Sequence, residues 1–331
     1  MAVSIEDIKK LRAMTGAGLA DVKKALTEAE GDFDKAKELL RERGLAIAAK
    51  RSDRETSNGC VLVKKVNDFA AIIALKCETD FVANGADFIK LTSDILDAAI
   101  AAKAHTLDEV KALKVGESDA QAAVTQRSGI TGEKMELDGY CVLEGDNIEV
   151  YDHMNKHTFC TMVQLNENNA EAGHKVAMQV AAMRPVALDE SSVSEETKKT
   201  ELEVAVAKTK EELVEKAVNA ALKKAGINPA HVDSEDHIES NTKKGWLTPE
   251  QAEEARNIKK TVAEEKAASL NPTMIQNIAN GRLAKFFKEN CLVDQEFQFG
   301  DGDKQTVAQY LASQSKDLKI VAYQRFTLAA E

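Results

Sequence analysis

Apolar residues recur along the chain with two different periods, and the changes of period mark its segments. Near the N-terminus they fall at helical spacing: Ile5, Ile8 and Leu11, then Leu19, Val22, Ala25 and Leu26, then Phe33, Ala36, Leu39 and Leu40. Ser4 followed by Asp7 predicts a capping box at the first helix. Thr15-Gly16-Ala17-Gly18 and Gly31-Asp32 break the run, and Gly44 is expected to end the third helix. The pattern predicts a three-helix module over residues 1–55 with little core of its own. Its charged, small-residue-rich stretch 41–54 reads as a linker.

From Gly59 the period shortens to that of a strand. Residues 60–66 and 69–75 read as strands joined by Asn67-Asp68, a hairpin turn pair, with a helix over 87–103 behind them. A related order returns, with strands over 139–150 and 159–165 and a helix over 171–183. Two hairpin-plus-helix units predict an internally duplicated α/β core, its first half at 56–138 and its second half opening at 139–193.

The segment 194–270 is different in kind. Leu202, Val206, Leu213, Ala217 and Ala221 fall on one helix face, with Glu and Lys dense on the other, until Gly226 and Asn228-Pro229 stop the helix. Thr248-Pro249-Glu250-Gln251 starts another as a capping box with proline in the first turn, and Ala255, Ile258 and Val262 continue its stripe to Asn271-Pro272. An antiparallel helical hairpin arm follows from this. Helices over 273–289 and 303–315 and a strand over 318–327 then complete the second half of the core at 271–331. The fold class expected is α+β: a three-helix bundle, a duplicated α/β core and an inserted hairpin arm.

Composition narrows the function. The chain has 331 residues, the length of two or three domains. It is 44% hydrophobic and 30% charged with only 5% aromatic residues and four prolines, so helix should outweigh strand. A formal net charge of -11 repels phosphate backbones, and no concentrated basic patch offsets it, so no direct nucleic-acid partner is expected. Acids occupy the N-terminal positions where a signal peptide needs bases, and no window reaches the ~18 apolar residues of a membrane span. The five cysteines, at 60, 77, 141, 160 and 291, form no C-x-x-C pair and read as free thiols in a reducing cytoplasm. The expectation is a cytoplasmic protein without a membrane partner.

Candidate chemistry is sparse. Gly16-Ala17-Gly18 lacks the preceding strand and the Gly-Lys-Ser/Thr ending of a phosphate loop, so it reads as an interhelical turn. His153, His157 and Cys160 have no fourth partner at zinc spacing, and no nucleophile-elbow pattern is present. No catalytic residue, metal or cofactor is therefore expected. The segment Thr79-Asp80-Phe81-Val82 carries more information. In one reading Asp80 caps a turn and Phe81 plugs the core. In the other the pair is a projecting wedge whose ring fills a partner's pocket.

Three motifs carry a family resemblance: residues 11–18 (Leu-Arg-Ala-Met-Thr-Gly-Ala-Gly) with Asp21-Val22-Lys23-Lys24-Ala25-Leu26, residues 77–82 (Cys-Glu-Thr-Asp-Phe-Val), and residues 281–289 (Gly-Arg-Leu-Ala-Lys-Phe-Phe-Lys-Glu) followed by Gln295. Together they closely resemble the bacterial elongation factor Ts family, the nucleotide exchange factors of elongation factor Tu. The resemblance implies a ubiquitin-associated-like N-terminal module that docks on the GTPase through Arg12, Lys23 and the turn Thr15, Gly16 and Gly18. It implies a wedge at Thr79, Asp80, Phe81 and Val82 near the magnesium site of the partner, and a second core half gripping another domain. Many members carry histidine in an Ala-Met-His-Val-Ala-Ala helix motif; here Gln179 takes that place as a partner contact. The implied activity is GDP release by stabilising nucleotide-free elongation factor Tu, without covalent chemistry, and homodimerisation through core or arm stays open. An interaction scaffold built on the N-terminal bundle, an RNA-binding factor and a hydrolase are the rival readings.

Overall fold

The computed structural model describes residues 3–300, 302 and 304–328. The chain divides into two compact units, one formed by Met1–Leu188 with Gln295–Glu331 and the other by Asp189–Asp294.

The first unit opens with three helices, α1 (Ile5–Thr15), α2 (Leu19–Glu28) and α3 (Phe33–Ala49). Ile8, Leu11, Val22, Ala25, Leu26 and Ala36 form their small core. The stripes contribute less than their spacing predicts, because Ile5 is 73% exposed and Leu19 58% exposed. Ser4 caps α1 by accepting from the Asp7 N–H at 3.0 Å. The return bond of a capping box is replaced: the Ser4 hydroxyl donates to the Asp7 carboxylate at 2.6 Å. Gly44 does not end α3, which runs through it to Ala49, so most of the expected linker is helical. Gly44 is buried there because α3 crosses close to a later helix at Gly129.

β1 (Asn58–Val66) and β2 (Phe69–Cys77) form the expected antiparallel hairpin, with Asn67 in the left-handed region at φ 54° as a tight turn requires. Next come α4 (Asp80–Ala83), α5 (Ala86–Ala102), α6 (Leu107–Ala112), the two-residue strands β3 (Lys114–Val115) and β4 (Ser118–Asp119), α7 (Ala120–Thr131) and β5 (Met135–Glu144). β5 pairs with β2, giving a sheet of order β1-β2-β5. A second sheet has order β6-β7-β8, from β6 (Ile148–Asp152), β7 (Phe159–Leu165) and β8 (Ile320–Thr327). The single strand expected over 139–150 is thus two strands in different sheets. The chain turns between them through Gly145 at φ 128° and Asn147 at φ 58°.

β2 is buried on both faces, and its alternation explains the layering. Ala71, Ile73 and Leu75 join Phe88, Ile95 and Ala99 of α5 and Val124 of α7. Ala70, Ile72 and Ala74 face the second sheet, where they meet Ile148, Cys160 and Met162. The far side of the second sheet is covered by α8 (Ala170–Met183), tied down by the buried Thr161 hydroxyl donating to the Ala177 carbonyl at 2.9 Å. The helix Val307–Gln314, opened by a Thr306 capping box, leads into β8; Asp303, where that helix was expected to begin, lies outside the described residues.

The second unit is α-helical: α9 (Glu195–Lys224), α10 (Glu235–Lys243), α11 (Pro249–Ala268) and α12 (Pro272–Asn290). The Thr248 capping box with Pro249 at the first turn forms as its sequence predicts. Two expectations shift. The connection between α9 and α11 carries the extra helix α10, whose Ile238 joins the core of Val218, Leu222, Val232, Leu247 and Ala255. The fully buried positions of α9 are Ala205, Thr209, Val218 and Leu222, whereas Leu202, Val206, Leu213, Ala217 and Ala221 are half-buried. α9 packs against both α11 and α12, so two faces are covered and the best-buried line falls between them. No helix of the described residues is long and apolar enough to cross a membrane.

Candidate functional site

β2 ends at Cys77, and two residues later the chain makes the four-residue helix α4 before Gly85 starts it into α5. Thr79, extended at φ -121°, is the cap, and its hydroxyl accepts from the Val82 N–H at 3.4 Å. Val82 and Ala83 turn inward against the core beneath β2. That leaves Asp80 and Phe81 on the outer side. Phe81 is 90% exposed, and the Asp80 carboxylate forms no ion pair with another described residue. The reading in which Asp80 caps the turn and Phe81 plugs the core is overturned on both points: Thr79 supplies the cap, and the ring stands in solvent. An exposed phenyl ring on a short ordered helix gains nothing for folding.

The helix is anchored from behind by Glu78 of the motif and by Glu133, Lys134, Arg54 and Arg51, which the motif does not contain. The Glu133 carboxylate accepts from the Thr79 hydroxyl at 2.6 Å and from the Thr79 N–H at 3.1 Å. Glu78 accepts from the Lys134 N–H at 2.6 Å and from Arg54 at 2.8 Å, with Arg51 at 3.7 Å. The Lys134 amide first, then the two guanidinium groups, hold the Glu78 carboxyl below its ordinary 4.5 against an opposing effect of burial. Nothing in the local pattern around Glu133 or Arg54 marks them, since their partners are 54 and 24 positions away in sequence.

At the N-terminal turn, Gly16 ends α1 in the left-handed region at φ 68°, and Gly18 in extended conformation starts α2. Thr15 donates its hydroxyl back to the Leu11 carbonyl at 2.7 Å. Arg12 and Lys23 are exposed and form no ion pair with another described residue, and Met14 and Leu19 are exposed beside the same turn. A methyl group at Gly16 would lie 3.8 Å from the Arg127 guanidinium, and Arg127 is paired with Asp87 near the start of α5 at 3.0 Å. The C-terminal part of α7 and the residues after it therefore touch both segments: Arg127 adjoins the turn, and Glu133 holds Thr79.

Gln179 is not at a surface. It is fully buried in α8; its amide nitrogen donates to the Glu296 carbonyl at 3.1 Å, and its oxygen accepts from the Gln298 N–H at 2.9 Å. The helix periodicity carried it inward, and its amide completes the hydrogen bonding of the segment leading to Val307–Gln314. The histidines also have local partners. His157 pairs with Asp152 at 2.5 Å, His153 meets the Tyr151 hydroxyl at 3.1 Å, and the buried Cys160 thiol points at the Val61 carbonyl.

Comparison with known proteins places this mixed helical and sheet chain among the translation elongation factors. The family model described as Elongation factor TS matches residues 78–226 and 214–330. The chain is 62% identical to elongation factor Ts of Bacteroides fragilis over the full length of both proteins. It is 59% identical to that of Parabacteroides distasonis and 38% identical to that of Porphyromonas gingivalis, again over the full length of each. The chain belongs to the elongation factor Ts family.

Proposed function

We propose that the protein is a cytoplasmic guanine nucleotide exchange factor that promotes GDP release from elongation factor Tu by binding and stabilising the nucleotide-free GTPase. The observation that carries the reading is Phe81, a 90% exposed ring on a helix whose Val82 and Ala83 pack inward and whose cap Thr79 is held by Glu133. Such a ring enters a partner pocket at little conformational cost. Asp80 beside it offers the partner's polar groups a carboxylate that forms no ion pair among the described residues, and Thr79 and Val82 fix the helix that carries both. Arg12, Lys23 and the turn of Thr15, Gly16 and Gly18 form a second contact region with Met14 and Leu19 at its centre.

The mechanism is linkage. A factor that binds the empty GTPase more tightly than the GDP form weakens GDP binding by the same factor. A single coupling of ~1–3 kcal/mol changes affinity about 5–150-fold, and two separate contact regions allow a larger sum. No bond is made or broken in this scheme, so the protein needs no catalytic group.

The test is release of fluorescent GDP from the same organism's elongation factor Tu, followed by stopped flow. Wild type should accelerate release and saturate. Phe81→Ala should lose about 2 kcal/mol of transition-state stabilisation, roughly thirtyfold in rate, with an unchanged melting temperature because the ring is 90% exposed. A folded Phe81→Ala that accelerates release like wild type would remove the wedge from the mechanism.

A further inference from the structure

A four-residue helix has no stability of its own, because nucleation costs more than its few hydrogen bonds return. The direction of Phe81 is therefore set by the inward packing of Val82 and Ala83 and by what holds the ends of α4. At its C-terminal end the Asn84 amide donates to the Asp80 carbonyl at 2.8 Å, a bond internal to the turn. At its N-terminal end the attachment is to another part of the fold. Glu133 takes both donors of Thr79, and Glu78 takes the Lys134 N–H, so residues 78–79 and 133–134 are cross-linked by three hydrogen bonds, two of them at 2.6 Å.

The chemistry of the cap explains why this matters. The Thr79 hydroxyl has one proton and two lone pairs. Giving the proton to Glu133 at 2.6 Å leaves a lone pair aimed at the Val82 N–H, and that cap bond is long at 3.4 Å. Without Glu133 the hydroxyl is free to turn its proton elsewhere, and the Thr79 N–H loses its acceptor.

We infer that Glu133 is a positioning residue for nucleotide exchange, holding α4 so that Phe81 is already aimed before the GTPase arrives. The inference rests on the exchange reading above. Pre-aiming the ring removes an ordering cost from association. Loss of Glu133 should therefore slow productive binding through the side chains that α4 carries outward, chiefly Phe81.

The experiment is a double-mutant cycle on GDP release from elongation factor Tu with Glu133→Ala, Phe81→Ala and the pair, together with Glu133→Gln. Glu133→Ala should lower the apparent second-order rate constant of release about tenfold, the equivalent of one charged hydrogen bond. Glu133→Gln retains a single acceptor oxygen and should fall between wild type and alanine; it carries the test if the alanine variant melts early. On the Phe81→Ala background the Glu133 effect should shrink to within about twofold. A 4-fluorophenylalanine at position 81 should show a shifted or broadened fluorine resonance in free Glu133→Ala. The inference is overturned if folded Glu133 variants release GDP at the wild-type rate, or lose the same factor with and without Phe81. A Phe81→Ala without effect would instead overturn the exchange reading at the wedge.

Discussion

Gly44 of α3 and Gly129 of α7 meet backbone to backbone, and the contact is asymmetric. A methyl group at Gly44 would lie 3.5 Å from the Gly129 Cα, an ordinary contact, whereas one at Gly129 would collide with the Gly44 backbone. Gly129→Ala should therefore destabilise the first unit by about 1–3 kcal/mol through overpacking. Gly44→Ala should be neutral or stabilising by up to about 1 kcal/mol, since glycine inside a helix is costly. Urea denaturation of the two variants checks the ordering.

Gln179 should behave as a structural residue. Gln179→Ala leaves the Gln298 N–H without its acceptor and removes one of the two donors to the Glu296 carbonyl, which keeps the Gln298 side-chain amide. A cost of about 1–3 kcal/mol is expected for a buried group left unsatisfied, plus a term for the cavity. Equilibrium unfolding of Gln179→Ala should show that loss. If Gln179 were chiefly a partner contact, stability would be unchanged and only exchange would fall.

Glu78 should make the protein acid-sensitive. Its carboxyl is held below 4.5 in the folded state, first by the Lys134 amide and then by Arg54 and Arg51. A depressed folded value means the stabilisation is fully present above the unfolded value and is lost as pH falls through the folded one. The stability difference between wild type and Glu78→Gln should thus be constant from pH 7 to about 5 and shrink below pH 4.5. Paired urea titrations at each pH measure it.

The thiols should be silent in the folded protein. Burial raises Cys60 and Cys77 to about 12, and raises Cys160 further. At pH 8 almost no thiolate is present at these positions, and thiolate is the reactive form. A disulfide-exchange reagent should react slowly with native protein and rapidly once urea unfolds it. Fast native labelling at Cys60 or Cys160 would show that the contact between the two sheets opens.

Local chemistry was readable wherever a device is complete within a few residues. The Thr248-Pro249-Gln251 cap and the Asn67-Asp68 turn appear where the sequence places them, because their donors and acceptors are neighbours in the chain. The helix Pro272–Asn290 and the returning strand β8 also follow from their periodicity. Gly44 reads as a stop in the sequence because glycine signals both helix ends and close helix crossings, and only the neighbour Gly129 distinguishes them. The run 139–150 was misread as one strand because alternation reports exposure, not partner: β5 turns to β2 and β6 to β7.

The α+β class is legible in composition and period, and the family in the contiguous motifs, which also mark the Asp80-Phe81 pair as a candidate contact. Which side chains face solvent depends instead on contacts across the fold that no local pattern carries. Phe81 is outward because Val82 and Ala83 fill the space beneath β2. Ile5 and Leu19 are outward because a three-helix module has too little interior for its whole stripe. Gln179 is inward because the segment around Gln295–Gln298 folds back onto α8. Exposure is a property of the partners a residue finds across the fold, and for Thr79 that partner, Glu133, is 54 residues away.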